Sequence, residues 1–141
     1  MKYTPDPIQT VELTTVVEYL VREFNKIALV LDKLEATTVN YGKEVINTAS
    51  TAATVINWKA GQKQRVEMNA STTFTFNPPE GVCNLMLKIE YNGTYTPTFP
   101  STMKWQGGTV PTWSAANTKT DVIAMYYDGT NYHATASLDS K

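Results

Sequence analysis

The chain offers few side chains for nucleophilic, metal or redox chemistry. Among its 141 residues there is one cysteine, Cys83, and one histidine, His133. The two fall in different predicted strands, whereas zinc and other transition-metal sites need clusters of such ligands. The sequence contains no G-x-S-x-G, Walker or G-x-G-x-x-G pattern. We therefore expect no catalytic, metal or cofactor site, a buried inert thiol at Cys83, and a half-exposed His133 in the last hairpin.

Carboxylates are the remaining candidates for chemistry, because glycoside hydrolysis uses two of them facing a sugar. A pair for a small depolymerase stays open, although the sequence singles none out. Asp128 precedes Gly129 and is predicted to be a turn residue, and Asp121 is predicted to begin a strand. The carboxylates considered for such a pair are Glu67, Glu80, Glu90, Asp121 and Asp128.

Aromatic side chains suggest binding rather than catalysis. Trp113, Tyr127 and Tyr132, with Tyr95, are candidates for a surface platform that contacts a glycan or a neighbouring subunit. The alternative is that two of the four lie in the core and the other two are scattered. Charge adds no further ligand class, since the net charge of −1 favours neither nucleic acid nor an anionic membrane.

The spacing of the apolar residues, which predicts the elements that would position these groups, changes along the chain. Apolar residues follow steps of four and three between Leu13 and Leu34, which predicts an amphipathic helix over 13–36. In heptad terms Val17, Phe24 and Leu31 occupy position a, and Leu13, Leu20, Ile27 and Leu34 occupy position d. Valines at flanking e and g positions widen the stripe, which favours three or more helices over two. The alternative is that the helix packs against its own β domain.

Sequence flanking this helix is predicted to be irregular. Residues 1–12 have a proline-rich start and are interpreted as an extended attachment peptide, although Asp6-Pro7 also resembles a helix start. Residues 37–53 are rich in Thr, Ala and Asn and are interpreted as a linker or stem. The start of the chain lacks an apolar region and the longest apolar run is Ile27–Leu31, so we expect neither a signal peptide nor a membrane span.

Alternation in twos predicts a small β head over 54–141. The fold class expected is α+β, segregated, with an N-terminal coiled-coil helix followed by a small antiparallel β-sandwich. The predicted strands are 54–58, 64–69, 72–77, 84–91, 103–105, 121–128 and 131–137, the last two forming a hairpin around Asp128-Gly129.

One segment of the head carries a recognisable motif. Phe99-Pro100 is followed by Trp105, by Gly107-Gly108 and by Pro111, and further on come Asp128-Gly129-Thr130 and Tyr132. Physically, Trp105 can cover one end of a small core, Gly107-Gly108 allows positive φ, and Pro111 ends strand pairing. The pattern F-P-x4-W-x-G-G-T-x-P, followed by D-G-T-x-Y, resembles the β domains of bacteriophage fibre and other virion surface proteins.

That resemblance implies a virion structural protein of a tailed phage, a short head or tail fibre or an adaptor, and no enzyme. We expect a homotrimer that is made in the host cytoplasm and attached through its N-terminus to a capsid, portal or tail protein. Its head would contact another virion protein or a host-surface glycan. Two hypotheses from other classes remain: a monomeric carbohydrate-binding module without a virion role, and a small depolymerase.

Overall fold

A computed structural model describes the backbone of residues 7–140 and the side chains of residues 12–32 and 43–140. The chain divides into two compact units, residues 1–38 and 39–141. An N-terminal helix is followed by mixed β-sheets, so the prediction of a segregated α+β fold is confirmed.

Helix α1 spans Pro7–Gly42, 36 residues, and is therefore longer at both ends than the predicted 13–36. It begins at a proline, whose fixed φ and missing N–H suit the first helical position, and it ends at a glycine. The prediction of an extended peptide is wrong over residues 7–12, while residues 1–6 lie outside the described part. The predicted linker over 37–53 is also wrong, because the helix continues to Gly42 and a strand begins at Glu44.

The β head has nine strands among its described residues, in two sheets. The large sheet has the order β1-β3-β5-β8-β9-β7 and the small sheet the order β2-β4-β6. Their bounds are β1 Glu44–Ala49, β2 Ala53–Asn57, β3 Lys63–Met68, β4 Thr72–Asn77, β5 Cys83–Tyr91, β6 Pro97–Thr98, β7 Met103–Trp105, β8 Thr120–Tyr127 and β9 Tyr132–Ser137.

Successive strands from β1 to β6 alternate between the two sheets, so that the chain winds around the core instead of folding back in hairpins. Strands β1, β3 and β5 are consequently parallel, as are β2, β4 and β6. Strand β8 is antiparallel to β5 and to β9, and β7 is parallel to β9. The prediction of an antiparallel head is therefore wrong for five of the seven strand pairs formed by the described residues.

The two sheets share one buried core. Ile56 and Phe74 of the small sheet belong to the same cluster as Val66, Leu87 and Ile123 of the large sheet, and each is at most 1% exposed. Along β5, Leu85, Leu87, Ile89 and Tyr91 are all buried, as their alternation predicts. This core supports the loops between β6 and β8, where the motif lies.

Candidate functional site

The first candidate surface is the apolar stripe on α1. Leu13, Val17, Leu20, Phe24, Ile27 and Leu31 are between 45% and 66% exposed in the single chain, and the side chain of Leu34 lies outside the described residues. The flanking Val16, Val21 and Val30 are more than half exposed as well. A contiguous apolar surface of this kind marks an interaction site. Phe74 and Leu87, by contrast, are fully covered in the core of the head.

The second candidate surface surrounds Trp105, the last residue of β7. The chain leaves this strand through a turn at Gln106–Gly108, where Gly107 has φ 69° and Gly108 has φ 72°. These left-handed values are the ones that glycine tolerates best, so the predicted role of Gly107-Gly108 is confirmed. The turn leads the chain to Pro111 and Trp113, which stand beside Trp105 on the same side of the head.

Three partly buried rings meet at this point and form what we call the aromatic triad: Phe99, Trp105 and Trp113. Their centroids are 5.4 Å apart for Phe99 and Trp105, 5.3 Å for Trp105 and Trp113, and 5.0 Å for Phe99 and Trp113. The planes are inclined by 42° to 78°, which gives tilted and edge-to-face contacts. Phe99 also contacts Phe74 of the core at 5.2 Å, so the triad is continuous with the interior.

The triad forms the wall of an open groove of about 700 Å³, which we call the aromatic groove. Its lining runs from Thr96 to Trp113 and includes Pro97, Pro100 and Pro111. Among the lining residues, all of which the structure describes, Lys104 is the one charged side chain. Its Nζ donates a hydrogen bond to the carbonyl oxygen of Ser101 at 3.0 Å. The volume lies within the range usual for small-ligand sites.

A buried carboxylate anchors the residue that follows Trp113. Asp121, fully buried at the start of β8, accepts hydrogen bonds from the backbone N–H and the hydroxyl of Ser114, the residue after Trp113, at 3.0 and 2.5 Å. It also accepts from Tyr91 Oη at 2.9 Å and from the Asp139 N–H at 3.0 Å. Burial, and then the Asp121 charge and hydrogen bond, raise the pKa of Tyr91. The prediction that Asp121 begins a strand holds within one residue, but its role as an anchor was not foreseen.

The Asp128-Gly129 turn forms as predicted. Asp128 Oδ1 accepts from the N–H groups of Thr130 and Asn131 at 2.8 and 2.7 Å, and its Oδ2 lies 2.7 Å from His133 Nε2. The Asn131 N–H, the His133 contact and the Thr130 N–H lower the pKa of Asp128 to about 2. Gly129 follows with φ 103°. His133 is exposed, and its described contact is with this turn.

Two of the predicted surface aromatics are in the core. Tyr127 and Tyr132 are 7% and 3% exposed, and their rings lie 4.6 Å apart. Tyr132 packs edge-on against Phe76 at 5.0 Å, and Tyr127 Oη donates to the carbonyl oxygen of Gly129 at 2.8 Å. The prediction that they belong to an exposed platform is wrong, because both side chains point to the inner face of the large sheet. Trp113 is half-buried and lines the aromatic groove.

The other side chains considered for chemistry either form ion pairs or lie apart from one another. Glu67 and Glu90 each lie 3.3 Å from Arg65 on the outer face of the large sheet, so these two carboxylates serve an ion-pair cluster. Burial raises the pKa of the Cys83 thiol, which is partly rather than fully buried. Within the described residues, no group of three or more His, Cys, Asp or Glu side chains is arranged to hold a metal ion.

Sequence reasoning missed three contributors to the groove: Phe99, Lys104 and Asp121. Phe99 and Lys104 lie within the Phe99–Pro111 motif, so the motif itself is the sequence signal that could have identified them. The partners of Asp121 come from three separate segments, which sequence spacing does not bring together.

Comparison of the chain with protein-family models, with curated proteins and with solved structures finds no match. Within the described residues, no helix has both the length and the apolar character required to traverse a lipid bilayer.

Proposed function

We propose that this protein is a virion structural subunit of a tailed phage, a short head or tail fibre or an adaptor. Its α1 helices associate as a coiled-coil homotrimer, and its head, a β-sandwich in general architecture, faces outward. The N-terminal end contacts a capsid, portal or tail protein, and the head contacts another virion protein or the host surface. The resemblance of the Phe99–Pro111 motif to phage fibre domains supports the virion part of this proposal.

The observation that carries the proposal is the exposed apolar stripe of α1. Six described a and d side chains are roughly half exposed in the single chain. Completing their burial is worth on the order of 1 kcal/mol each, about 6 kcal/mol per chain. Gains from three chains exceed the lower estimates of the cost of association, and the hydrophobic flanks at e and g add to them. A trimer covers this wide stripe better than a dimer does.

The test compares two aliphatic residues on different faces of the same helix turn. Ile27 is 52% exposed and lies on the stripe, whereas Leu29 is 64% exposed and lies off it, at heptad position f. The wild-type chain and Leu29→Asp should have the mass of a trimer at micromolar concentration by analytical ultracentrifugation, and Ile27→Asp should be monomeric. A monomeric wild type, or an Ile27→Asp variant that stays trimeric, would contradict the proposal.

The virion role has its own test. Removal of residues 1–12 should prevent incorporation into phage particles and leave the trimer intact, because the heptad stripe begins at Leu13. Full incorporation of the shortened chain would show that attachment does not use this segment.

A carbohydrate-binding module without a virion role is the second candidate function, and the aromatic groove is the observation that favours it. Such a module would bind its glycan as a monomer. The solution mass therefore separates the two candidates, whatever the groove binds.

A further inference from the structure

The aromatic groove is a preformed site. Pro97, Pro100 and Pro111 restrict the backbone around it, and the left-handed glycines of the Gln106–Gly108 turn fix how the chain crosses it. Asp121 anchors Ser114 and so holds the neighbouring Trp113 in place. A ligand would lose little affinity to ordering of the protein, because these elements are already held.

The ring geometry favours a compact ligand over an extended one. All three members of the aromatic triad contact one another, and their planes are inclined by 42° to 78°, so they form an inclined corner and not a row of parallel ridges. Proline-rich peptides dock along successive aromatic ridges, because their helix repeats regularly along an axis. A pyranose ring instead presents a small apolar face of C–H groups with hydroxyls at its edge.

Polar groups around the rings fit the same ligand. Thr96, Thr98 and Ser101 supply exposed hydroxyls, which can both donate and accept hydrogen bonds. Lys104 adds one positive charge, held beside the groove by its hydrogen bond to the Ser101 carbonyl. No carboxylate is present among the described residues that line the groove, although Asp and Glu slightly outnumber Lys and Arg in the chain. This local charge is complementary to an acidic ligand.

We propose that the aromatic groove binds an acidic saccharide, a sugar ring stacking against Trp113 and contacting Trp105 at its side while its carboxylate or phosphate group pairs with Lys104. This inference gives the host-surface contact of the proposed function a ligand class and rests on that function for its biological role. The binding itself is a property of the head and does not require the trimer.

The experiment measures binding of the purified full-length chain to an array of oligosaccharides that carry uronic acid, sialic acid or phosphate groups, printed beside their neutral counterparts. At least one acidic glycan should bind more tightly than its neutral counterpart, and binding should weaken with added salt. The affinity of the selected glycan is then measured in solution by tryptophan fluorescence, since Trp105 and Trp113 line the groove and Trp58 is only 1% exposed.

Three variants assign the binding to the groove. Trp113→Ala should weaken it at least tenfold, and Trp113→Phe, which keeps a ring and protects the fold, should lie between that variant and the wild type. Lys104→Ala, at an exposed position, should weaken binding of the acidic glycan about threefold and leave the neutral counterpart unchanged. Tyr126→Ala removes a 47% exposed aromatic that does not line the groove and should have no effect.

Each alternative outcome overturns the inference. No binding to any glycan on the array contradicts the ligand class, and so does tight binding of decaproline with no glycan binding. Equal affinity for an acidic glycan and its neutral counterpart contradicts the role of Lys104. Failure here is distinguishable from failure of the proposed function, because the oligomeric state is measured separately with Ile27→Asp and Leu29→Asp.

Discussion

Replacement of Asp121 by asparagine tests whether the wall of the aromatic groove depends on one buried carboxylate. Asp121 receives four hydrogen bonds, two on each oxygen: Oδ1 from the Ser114 hydroxyl and the Asp139 N–H, and Oδ2 from the Ser114 N–H and the Tyr91 hydroxyl. Asparagine has the same shape but replaces one acceptor oxygen by an NH₂ donor.

The expected cost follows from counting the donors. The hydroxyls of Ser114 and Tyr91 can rotate and accept from the new NH₂ group, but a backbone N–H cannot. With the NH₂ group at the Oδ2 position the Ser114 N–H faces another donor, whereas with it at the Oδ1 position the Asp139 N–H keeps the Ser114 hydroxyl oxygen as an acceptor at 3.0 Å. The second orientation is therefore favoured, and its cost is the lost Asp139–Asp121 hydrogen bond together with the loss of a charged acceptor for the bonds that remain. We expect Asp121→Asn to lower the free energy of unfolding of the head by about 2 kcal/mol.

The assay is urea and thermal denaturation at one fixed protein concentration, since self-association would make the apparent stability concentration-dependent. A loss of about 2 kcal/mol corresponds to a decrease in Tm of about 10 °C for a domain of this size. Tryptophan fluorescence should report the change, because Trp113 adjoins Ser114. Tyr91→Phe is the matched control: it removes one hydrogen bond, leaves Asp121 three donors, and should cost about half as much. A single hydrogen bond contributes about 1 kcal/mol. If the free energy of unfolding of Asp121→Asn lies within about 0.5 kcal/mol of the wild-type value, less than one such bond, this reasoning is refuted.

Three further predictions concern the turns and the helix. The folded-state pKa of Asp128, about 2, lies below its ordinary value of 3.8, so its carboxylate stabilises the head above pH ~4 and this contribution is lost as pH falls toward 2. Asp128→Asn, which still accepts the turn's N–H bonds, should flatten that part of a pH series of urea midpoints. Gly107→Ala should lower the Tm of the head by about 4–8 °C, because alanine at φ 69° costs about 1 kcal/mol, whereas Gly81→Ala, where nothing lies within 4 Å of the added carbon, should not. If the groove binds a glycan, Ile27→Asp should keep the affinity of each site for a soluble oligosaccharide. Its apparent affinity for a glycan-coated surface, measured by surface plasmon resonance, should fall at least about 10²-fold, because avidity requires linked heads.

Sequence alternation predicted the strands of the head well and their pairing poorly. The bounds predicted for 72–77 and 103–105 coincide with β4 and β7, and those for 84–91 differ from β5 by one residue. Alternation succeeds because each of these strands has one buried face, and a period of two reports burial whatever the direction of the neighbouring strand. For the same reason it cannot distinguish parallel from antiparallel pairs, and it does not show that β2 and the next strand, β3, belong to different sheets.

Strand β1 was missed because its inner face is weakly apolar. Asn47 points inward, where its Nδ2 donates to Oε1 of the buried Gln64 at 2.8 Å, and Ala49 is the one buried apolar residue of the strand. Two polar side chains that form a hydrogen bond with each other across two parallel strands produce no hydrophobic alternation at those positions. The pairing becomes evident only when β1 and β3 are placed side by side.

The sequence identified those residues of the groove whose type is required by the local backbone conformation. Gly107 was identified from its need for positive φ, and Trp105 from its position at a strand end. Tyr127 was misassigned even though it alternates with Ile123 and Met125, all three of which are buried on the inner face of β8. Burial of this polar side chain is possible because its hydroxyl donates a hydrogen bond to a turn carbonyl inside the same hairpin.

Phe99 connects the groove to the core, and this connection determines which substitutions can report on binding. Its ring contacts Phe74 and Phe76 on one side and Trp105 and Trp113 on the other. Truncation of Phe99 would therefore remove core packing and part of the groove wall together, at the lower end of the cost of truncating a buried aromatic, about 3 kcal/mol. The described ring contacts of Trp113 are with the partly buried Phe99 and Trp105, and none is with a fully buried ring. A loss of binding in the Trp113 variants with unchanged urea midpoints would thus be a loss of ligand contacts, which a Phe99 variant could never establish.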